Sequence, residues 1–334
     1  MMRMTVLASG SKGNSTVISS SRTRVLVDAG LSCRELLRRM AIAGEDPSAL
    51  DAILITHEHQ DHVAGLAVLA RKLRIPVFFT EPTHRAWVRM LTPRSTMSYA
   101  KWLDHLQQEK EARAAAIALE TANEFVDEPA LRSDDPHAVL ELPVEDPDAC
   151  DNEAVETLPA AAKADPTFLP SVEYFRAGTN FSIGDIDITP FTIPHDAADP
   201  CGFVFQAEGI RMALATDLGY MPPNVKQAIA KSDVLLLESN HDLEMLRDGP
   251  YPWSVKQRVL SRVGHLSNNA TAEYLAKDYD GGAQYIVLGH LSESNNMPEI
   301  ALLSAKQAIG DRMSLLGNRI LLAAQSEPLE SICL

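Results

Sequence analysis

The feature that most constrains this chain is the run His57-Glu58-His59-Gln60-Asp61-His62, placed directly behind the apolar segment Ala52–Thr56 (AILIT). The chain has only ten histidines in 334 residues, so three of them and an aspartate within six positions is far from chance spacing. Five continuous apolar or β-branched residues read as a buried strand. Asp61–Leu73 follows with Val63, Leu66, Leu69, Ala70 and Leu73 at helical spacing. The ligand-type residues therefore fall in a tight strand-to-helix loop. Alternate positions of an extended segment point the same way, so His57 and His59 can grip one metal ion. Asp61 and His62 open the helix and point elsewhere, which suits a second ion. The donors are all nitrogen or oxygen, a set that suits Zn²⁺, Mn²⁺ or Fe²⁺.

More ligand-type residues recur at equivalent places. Asp28 ends RVLVD, His195 ends ITPFTIPH, Asp217 ends MALATD and His290 ends YIVLGH. Each sits at the C-terminal end of an apolar strand, where sites assemble in α/β sheets. Asp217 is the best candidate to bridge two ions, since a carboxylate has two oxygens.

The rest of the pattern fits an α/β fold. Met4–Ala8, Thr16–Ser19, Arg24–Val27 and Ile75–Phe79 read as strands and Ser32–Ala43 as a helix, a βαβα order. Phe181–Phe191 and Phe203–Ala215 read as hairpins turning at Gly184–Asp185 and Glu208–Gly209. Strands at Val234–Glu238, Tyr285–Leu288 and Arg319–Ala323 alternate with helices near 223–231, 253–263, 269–278 and 298–309. The expected organisation is a single domain over 1–334 interrupted by an insertion at 92–172. That insertion has a helical start at Tyr99–Glu120 and a proline-rich, acidic remainder.

Charge matters because of where it lies. The net charge is −15, but residues 104–175 hold 18 acids against 4 bases, and the remainder is nearly neutral. An acidic total therefore does not exclude a polyanionic partner. No apolar run approaches the roughly 18–20 residues that cross a bilayer, and the N-terminus lacks a signal-peptide core. Cys33, Cys150, Cys201 and Cys333 form no C-x-x-C pair. A cytoplasmic protein with no membrane association is expected; protein partners are not indicated.

The order Asp28, HEHQDH, His195, Asp217, His290 resembles the metallo-β-lactamase superfamily. The blocks SGSKGNS, IPHDAADPCGF, ATDLGY, LESNHD, GPYPW, GHLSNN and LGHLSESNNMPE resemble its YycJ (WalJ)-like group. The resemblance spans residues 4–91 and 175–325, and the 92–172 insertion departs from that group's shorter chain. It implies a four-layer αβ/βα sandwich, a binuclear centre of two divalent metal ions (zinc or manganese, with iron possible) and 5′-exonuclease action on double-stranded DNA. It implies His57, His59 and His195 on one ion, Asp61, His62 and His290 on the other, Asp217 between them, and Asp28 orienting a ligand histidine.

The chemistry follows from a metal pair. A bridging water acidified towards neutrality is a hydroxide nucleophile for a phosphodiester, with Asp61 in the catalytic centre. The leaving alkoxide needs a proton. His265, in the GHLSN block, is the candidate to supply it or to clamp the phosphate. Lys256, Arg258 and Arg262 on the preceding helix are candidates for neighbouring phosphates. Ser11 and Asn14 in the Gly10–Ser15 turn, and Asn295 after HLSES, are candidate substrate contacts. His241 and Asp242 also follow a strand, without an assigned role.

Three functions compete. The first is a metal-dependent nuclease or phosphodiesterase, with nucleic acid (DNA before RNA) as the substrate partner. The second is a hydrolase of small esters or thioesters, of the lactonase or glyoxalase II type, which the histidine core alone permits equally. The third is a non-catalytic module that displays the acidic insertion to a basic partner, and it requires a broken metal site. His265 and the basic helix favour the first, since a small neutral substrate needs neither.

Overall fold

The computed structural model describes residues 1–92, 165–310 and 317–334. The Tyr99–Glu120 helix and most of the 92–172 insertion lie outside these residues. At the far end of that stretch, Leu169 is buried among core side chains and Val172 packs against them.

Two seven-stranded mixed sheets form the framework. The first contains β1 (Arg3–Ala8), β2 (Ser15–Ser19), β3 (Arg24–Val27), β4 (Ala52–Leu54), β5 (Val77–Phe79) and β6 (Val172–Tyr174). These lie side by side in chain order, with the C-terminal β14 (Ile332–Cys333) on the outer edge of β1. The second contains β7 (Phe181–Ile183), β8 (Ile186–Thr192), β9 (Cys201–Ala207), β10 (Ile210–Ala215), β11 (Val234–Glu238), β12 (Tyr285–Gly289) and β13 (Arg319–Leu322), again in chain order. Each sheet is antiparallel in its first strands and parallel thereafter.

Alternation along the strands sorts side chains into layers. Val25, Val27, Ala52 and Leu54 share one core with Phe203, Phe205, Val234 and Leu236, so the two sheets pack face to face. The intervening Leu26 and Ile53 turn outward to Leu36, Met40, Leu66, Leu69 and Trp87. These come from the helices Cys33–Ile42, Leu66–Leu73 and Glu81–Leu91. On the other side Leu235 and Leu237 meet Val225, Ile229, Tyr274, Leu275, Ala301 and Ala305, from the helices Pro223–Ile229, Asn268–Lys277 and Pro298–Ile309. The result is the expected four-layer αβ/βα sandwich. Strands buried on both faces read as continuous apolar runs, which is why AILIT, VLLLE and YIVLG carry no polar alternation.

The helix expected near 253–263 ends at Val259, and another expected element is divided. Asp61–Leu73 is not one helix but a single turn, Gln60–Val63, followed by Leu66–Leu73. The break falls at Gly65, whose amide donates to the Ala29 carbonyl. A β-carbon there would stand 2.1 Å from the Leu31 carbonyl oxygen. The loop after β3 thus threads through the gap. Among the described residues no helix is long and apolar enough to cross a membrane.

Candidate metal centre

The parallel strands β3, β4, β10, β11 and β12 end at Asp28, the Thr56–His62 loop, Asp217, Glu238 and His290. Asp28, Asp217 and His290 have φ of 61°, 62° and 55°. Non-glycine residues in this left-handed region cost about 1–3 kcal/mol each and persist where the surroundings over-determine them. Here the bend swings a side chain off the strand and into the space between the two sheets' ends.

Asp28 organises the histidine loop. It accepts from the Thr56 amide at 2.9 Å and the Thr56 hydroxyl at 2.9 and 3.1 Å, and from His62 Nδ1 at 2.8 Å. The last bond leaves His62 Nε2 as the outward atom. Burial pushes the Asp28 carboxyl upward against the opposing pull of His62 and Thr56. Glu58 ties the loop to the other sheet by accepting the Ala198 amide at 2.8 Å. Gly30 is packed against it so closely that a β-carbon would lie 1.7 Å from the Asp61 carbonyl oxygen.

Two clusters result. In the first, His57 Nε2 and His195 Nε2 approach His59 Nδ1 at 3.1 and 3.2 Å. His195 donates its other nitrogen to the Gly264 carbonyl at 3.2 Å. Burial drives His57 well below the usual imidazole range, takes His59 down to about 4 and lowers His195. Three neutral rings thus aim lone pairs at one point. The second cluster is Asp61, His62 and His290. Within each cluster the donor atoms lie within 4.8 Å of one another. Burial disfavours charge on His62 and His290. Asp61, Asp28 and Asp217 around the first, and Asp217, Asp61 and Glu238 around the second, outweigh it and hold both rings above the usual range. Carboxylates packed with buried imidazolium rings mark a place where a cation can take over from protons.

Asp217 stands between the clusters. Its Oδ2 is 3.5 Å from His62 Nε2 and its Oδ1 is 3.9 Å from His195 Nε2. Oδ2 and His290 Nε2 are buried without any hydrogen-bond partner, a cost of about 1–3 kcal/mol each that a bound cation removes. The residues therefore fit divalent metal.

Glu238 escaped sequence reasoning. It is fully buried. Its Oε1 accepts from both His265 Nδ1 and His290 Nδ1 at 2.9 Å, while Oε2 takes the amides of Leu218 and Leu266. Burial would raise its carboxyl, but His265 and His290 hold it far below the usual range. The signal was present: VLLLE ends an apolar strand in an acid, as RVLVD does.

A cavity of ≈340 Å³ opens over both clusters and is lined also by Ser11, Asp196, Tyr251, Arg258, His265 and Asn295. Other candidates sit elsewhere. Asn14 is buried, with Nδ2 3.1 Å from both Asp61 Oδ2 and His62 Nε2, so it braces the second cluster. Lys256 is turned inward, its ammonium bonded to the carbonyls of Arg247 and Gly249 at 2.7 and 2.8 Å. Arg258 pairs with Asp196 at the cavity. Arg262 lies beyond the end of the helix Trp253–Val259, exposed, with its guanidinium 4.2 Å over the Tyr220 ring. Asp242 caps the helix Leu243–Asp248. His241 is buried beside Asn240, and burial takes its ring down to about 4.

Comparison with known proteins bears out the fold. The model for the metallo-beta-lactamase superfamily matches residues 8–252. The chain is 31% identical over 299 residues to exodeoxyribonuclease WalJ of Streptococcus pneumoniae serotype 2, covering 90% of this chain and 85% of that one. It is 31% identical over 311 residues to exodeoxyribonuclease YycJ of Bacillus anthracis, covering 93% and 90%. The metallo-beta-lactamase fold protein YhfI of Bacillus subtilis superposes with a TM-score of 0.57 at 13% identity, over 99% of this chain and 100% of that one.

Proposed function

Because the chain belongs to the metallo-beta-lactamase superfamily, we propose that it is a two-metal phosphodiesterase, and within that class a 5′-exonuclease acting on DNA in preference to RNA. One observation carries this reading. A single cavity is lined by His59 of one donor cluster, by Asp61 and His290 of the other and by Asp217, together with His265, which also groups with Asp217, Glu238 and His290. Relatives named as exodeoxyribonucleases over nine-tenths of the chain support DNA as the substrate.

His57, His59 and His195 would hold one ion and Asp61, His62 and His290 the other, with Asp217 reaching both. Bound there, the ions supply Lewis acidity to a water and to the phosphoryl oxygens. The remaining work belongs to the chain. Asp28 and Glu238 fix the tautomers of His62 and His290 by taking their Nδ1 protons. Glu238 also accepts from His265 Nδ1, so when the ring carries hydrogen on both nitrogens, Nε2–H is the group that passes a proton to the leaving oxygen. Ser11, Arg258 and Asn295 line the space a nucleotide would enter.

The test is hydrolysis by metal-stripped protein with Mn²⁺ or Zn²⁺ added back, on bis-p-nitrophenyl phosphate, 5′-labelled duplex DNA and S-acyl glutathione. Metal-dependent release of 5′ nucleotides, abolished in His59→Ala and strongly reduced in His265→Ala, is expected. Thioester cleavage with inert DNA, indifferent to His265→Ala, overturns the proposal in favour of a small-ester hydrolase.

A further inference from the structure

Three acids line the cavity over the clusters: Asp61, Asp196 and Asp217. Among the described residues Asp61 and Asp217 belong to donor groups able to hold a cation, and Asp196 belongs to none. A carboxylate outside the clusters repels a phosphodiester unless a cation offsets it. The offset is Arg258, the one lysine or arginine among the described residues that line the cavity. Its Nε donates to Asp196 Oδ2.

Asp196 is held in register with the first cluster. It follows His195 directly, and its Oδ1 lies 3.5 Å from His195 Nε2. Its amide donates to the Val263 carbonyl at 3.1 Å, and His195 Nδ1 donates to the next carbonyl, Gly264, at 3.2 Å. Two successive carbonyls just before His265 thus fix His195 and Asp196 together. Arg258 arrives from the helix Trp253–Val259, where helical spacing puts Val255, Arg258 and Val259 on the face that lines the cavity. Its side chain is 64% exposed, and a long exposed side chain loses rotamer freedom when it is immobilised on a ligand. A carboxylate that already holds Nε removes part of that loss. It also sets the plane of the guanidinium, whose rigid fork matches phosphate. The guanidinium stands one carboxylate's width from a ring of the first cluster, beside the place of the scissile phosphate rather than on it.

We propose that Asp196 is a positioning residue: it sets Arg258 on the phosphate next to the scissile one, and so makes the enzyme select nucleotide chains over isolated diesters. The proposal rests on the nuclease reading above and deepens it. That second phosphate has two sources, the 5′-terminal phosphate and the next internucleotide linkage.

The experiment uses metal-loaded wild type, Asp196→Ala, Asp196→Asn, Arg258→Ala and the Asp196→Ala/Arg258→Ala double variant. The substrates are a 5′-phosphorylated duplex, the same duplex with a 5′-hydroxyl, and the phosphorylated duplex with a neutral methylphosphonate at the second linkage. Losing one charge-assisted contact is worth roughly ten-fold or more. Wild-type kcat/KM should fall about ten-fold on one of the two altered duplexes, and which one names the source. On the unaltered duplex Arg258→Ala should lose about as much and Asp196→Ala several-fold, both mainly through KM. Asp196→Asn keeps an acceptor for Nε and should recover part of the loss. The double variant should lose no more than Arg258→Ala, and on the duplex that weakens the wild type no substitution should add a further loss. Metal content per chain should be the same in Asp196→Ala as in the wild type. A lower KM in Asp196→Ala makes Asp196 a restraint on Arg258 and overturns the proposal. Additive losses, loss of metal, or a wild type indifferent to both altered duplexes overturn it too, and all of these leave the nuclease reading in place. A wild type that cleaves S-acyl glutathione and no DNA overturns both.

Discussion

Glu238 takes the Nδ1 hydrogen of His265 at 2.9 Å while lying fully buried. The same oxygen takes the Nδ1 hydrogen of His290 at 2.9 Å, so one carboxylate couples a ring proposed to hold metal to the ring proposed to deliver a proton. Glu238→Gln is expected to act on both. Metal affinity should fall about 10–100-fold, as for other partners of ligand histidines. At saturating metal, kcat should still fall by roughly 10²–10⁴, the usual worth of general acid catalysis. Glu238→Gln and His265→Ala should then be strongly non-additive, because they disable one unit. A double-mutant cycle on kcat with saturating Mn²⁺ tests this; additive losses would separate the two residues.

Asp28 does for His62 what Glu238 does for His290, and its backbone makes a clean test possible. With φ at 61°, the position tolerates asparagine better than most residues. Asp28→Asn therefore keeps the bend but turns one of the two accepting oxygens into an amide donor, which cannot accept from Thr56 or His62. It should cost about 10–100-fold in metal affinity, with a smaller loss of melting temperature in the stripped protein than Asp28→Ala. Asp28→Ala should cost more stability, since alanine tolerates that φ less well and the Thr56 amide loses its acceptor. Metal titration against a competing chelator, with thermal melts of the apo forms, separates the two effects.

How much of this was legible follows from where polar residues stood relative to apolar runs. Asp28, Asp217 and His290 were readable because each closes an uninterrupted run, and such runs are strands buried on both faces; His195 instead follows β8, whose residues alternate between buried and exposed. Glu238 closes VLLLE in the same way, three residues before His241. The structure turns Asp242 into a helix cap and buries His241 beside Asn240. Asn14 was read as a phosphate contact from a Gly/Ser turn; only the fold shows that its amide meets Asp61 and His62. Lys256 was read as a phosphate contact on a basic helix, and nothing local reveals that carbonyls at Arg247 and Gly249 curl back to take its ammonium. The break at Gly65 was equally hidden, because its cause is Leu31, more than thirty residues away in sequence.

Gly30 is a glycine for reasons of space rather than φ. A β-carbon there would lie 1.7 Å from the Asp61 carbonyl oxygen and 2.6 Å from the Asn14 amide nitrogen. One neighbour is the Asp61 backbone itself and the other is the backbone of Asn14, whose side chain meets Asp61 and His62, so neither can yield without moving Asp61. Gly30→Ala should destabilise by about 1–3 kcal/mol, the usual cost of overpacking, and should lose metal disproportionately. Gly44→Ala is the control: its φ is +71° but its β-carbon would meet nothing. It should cost about 1 kcal/mol with metal content unchanged. Denaturant melts and metal content per chain distinguish the two.

Lys256 and Arg262 were grouped by sequence and are divided by structure, and salt dependence can tell their roles apart. A residue that neutralises a phosphate contributes about one unit to the slope of log affinity against log salt. Arg262 is exposed beside Tyr220, and Arg262→Ala should lower that slope by about one while leaving stability alone. Lys256→Met should leave the slope unchanged, because the ammonium is already spent on the Arg247 and Gly249 carbonyls. It should instead destabilise by about 1–3 kcal/mol, since two acceptors lose their charged donor. With the helix Trp253–Val259 loosened, DNA binding should weaken equally at every salt concentration. Duplex binding by a metal-loaded His265→Ala background, measured from 50 to 200 mM salt (roughly the range over which such slopes are resolved), gives both slopes. A slope reduced by Lys256→Met would return that lysine to the phosphate-binding surface.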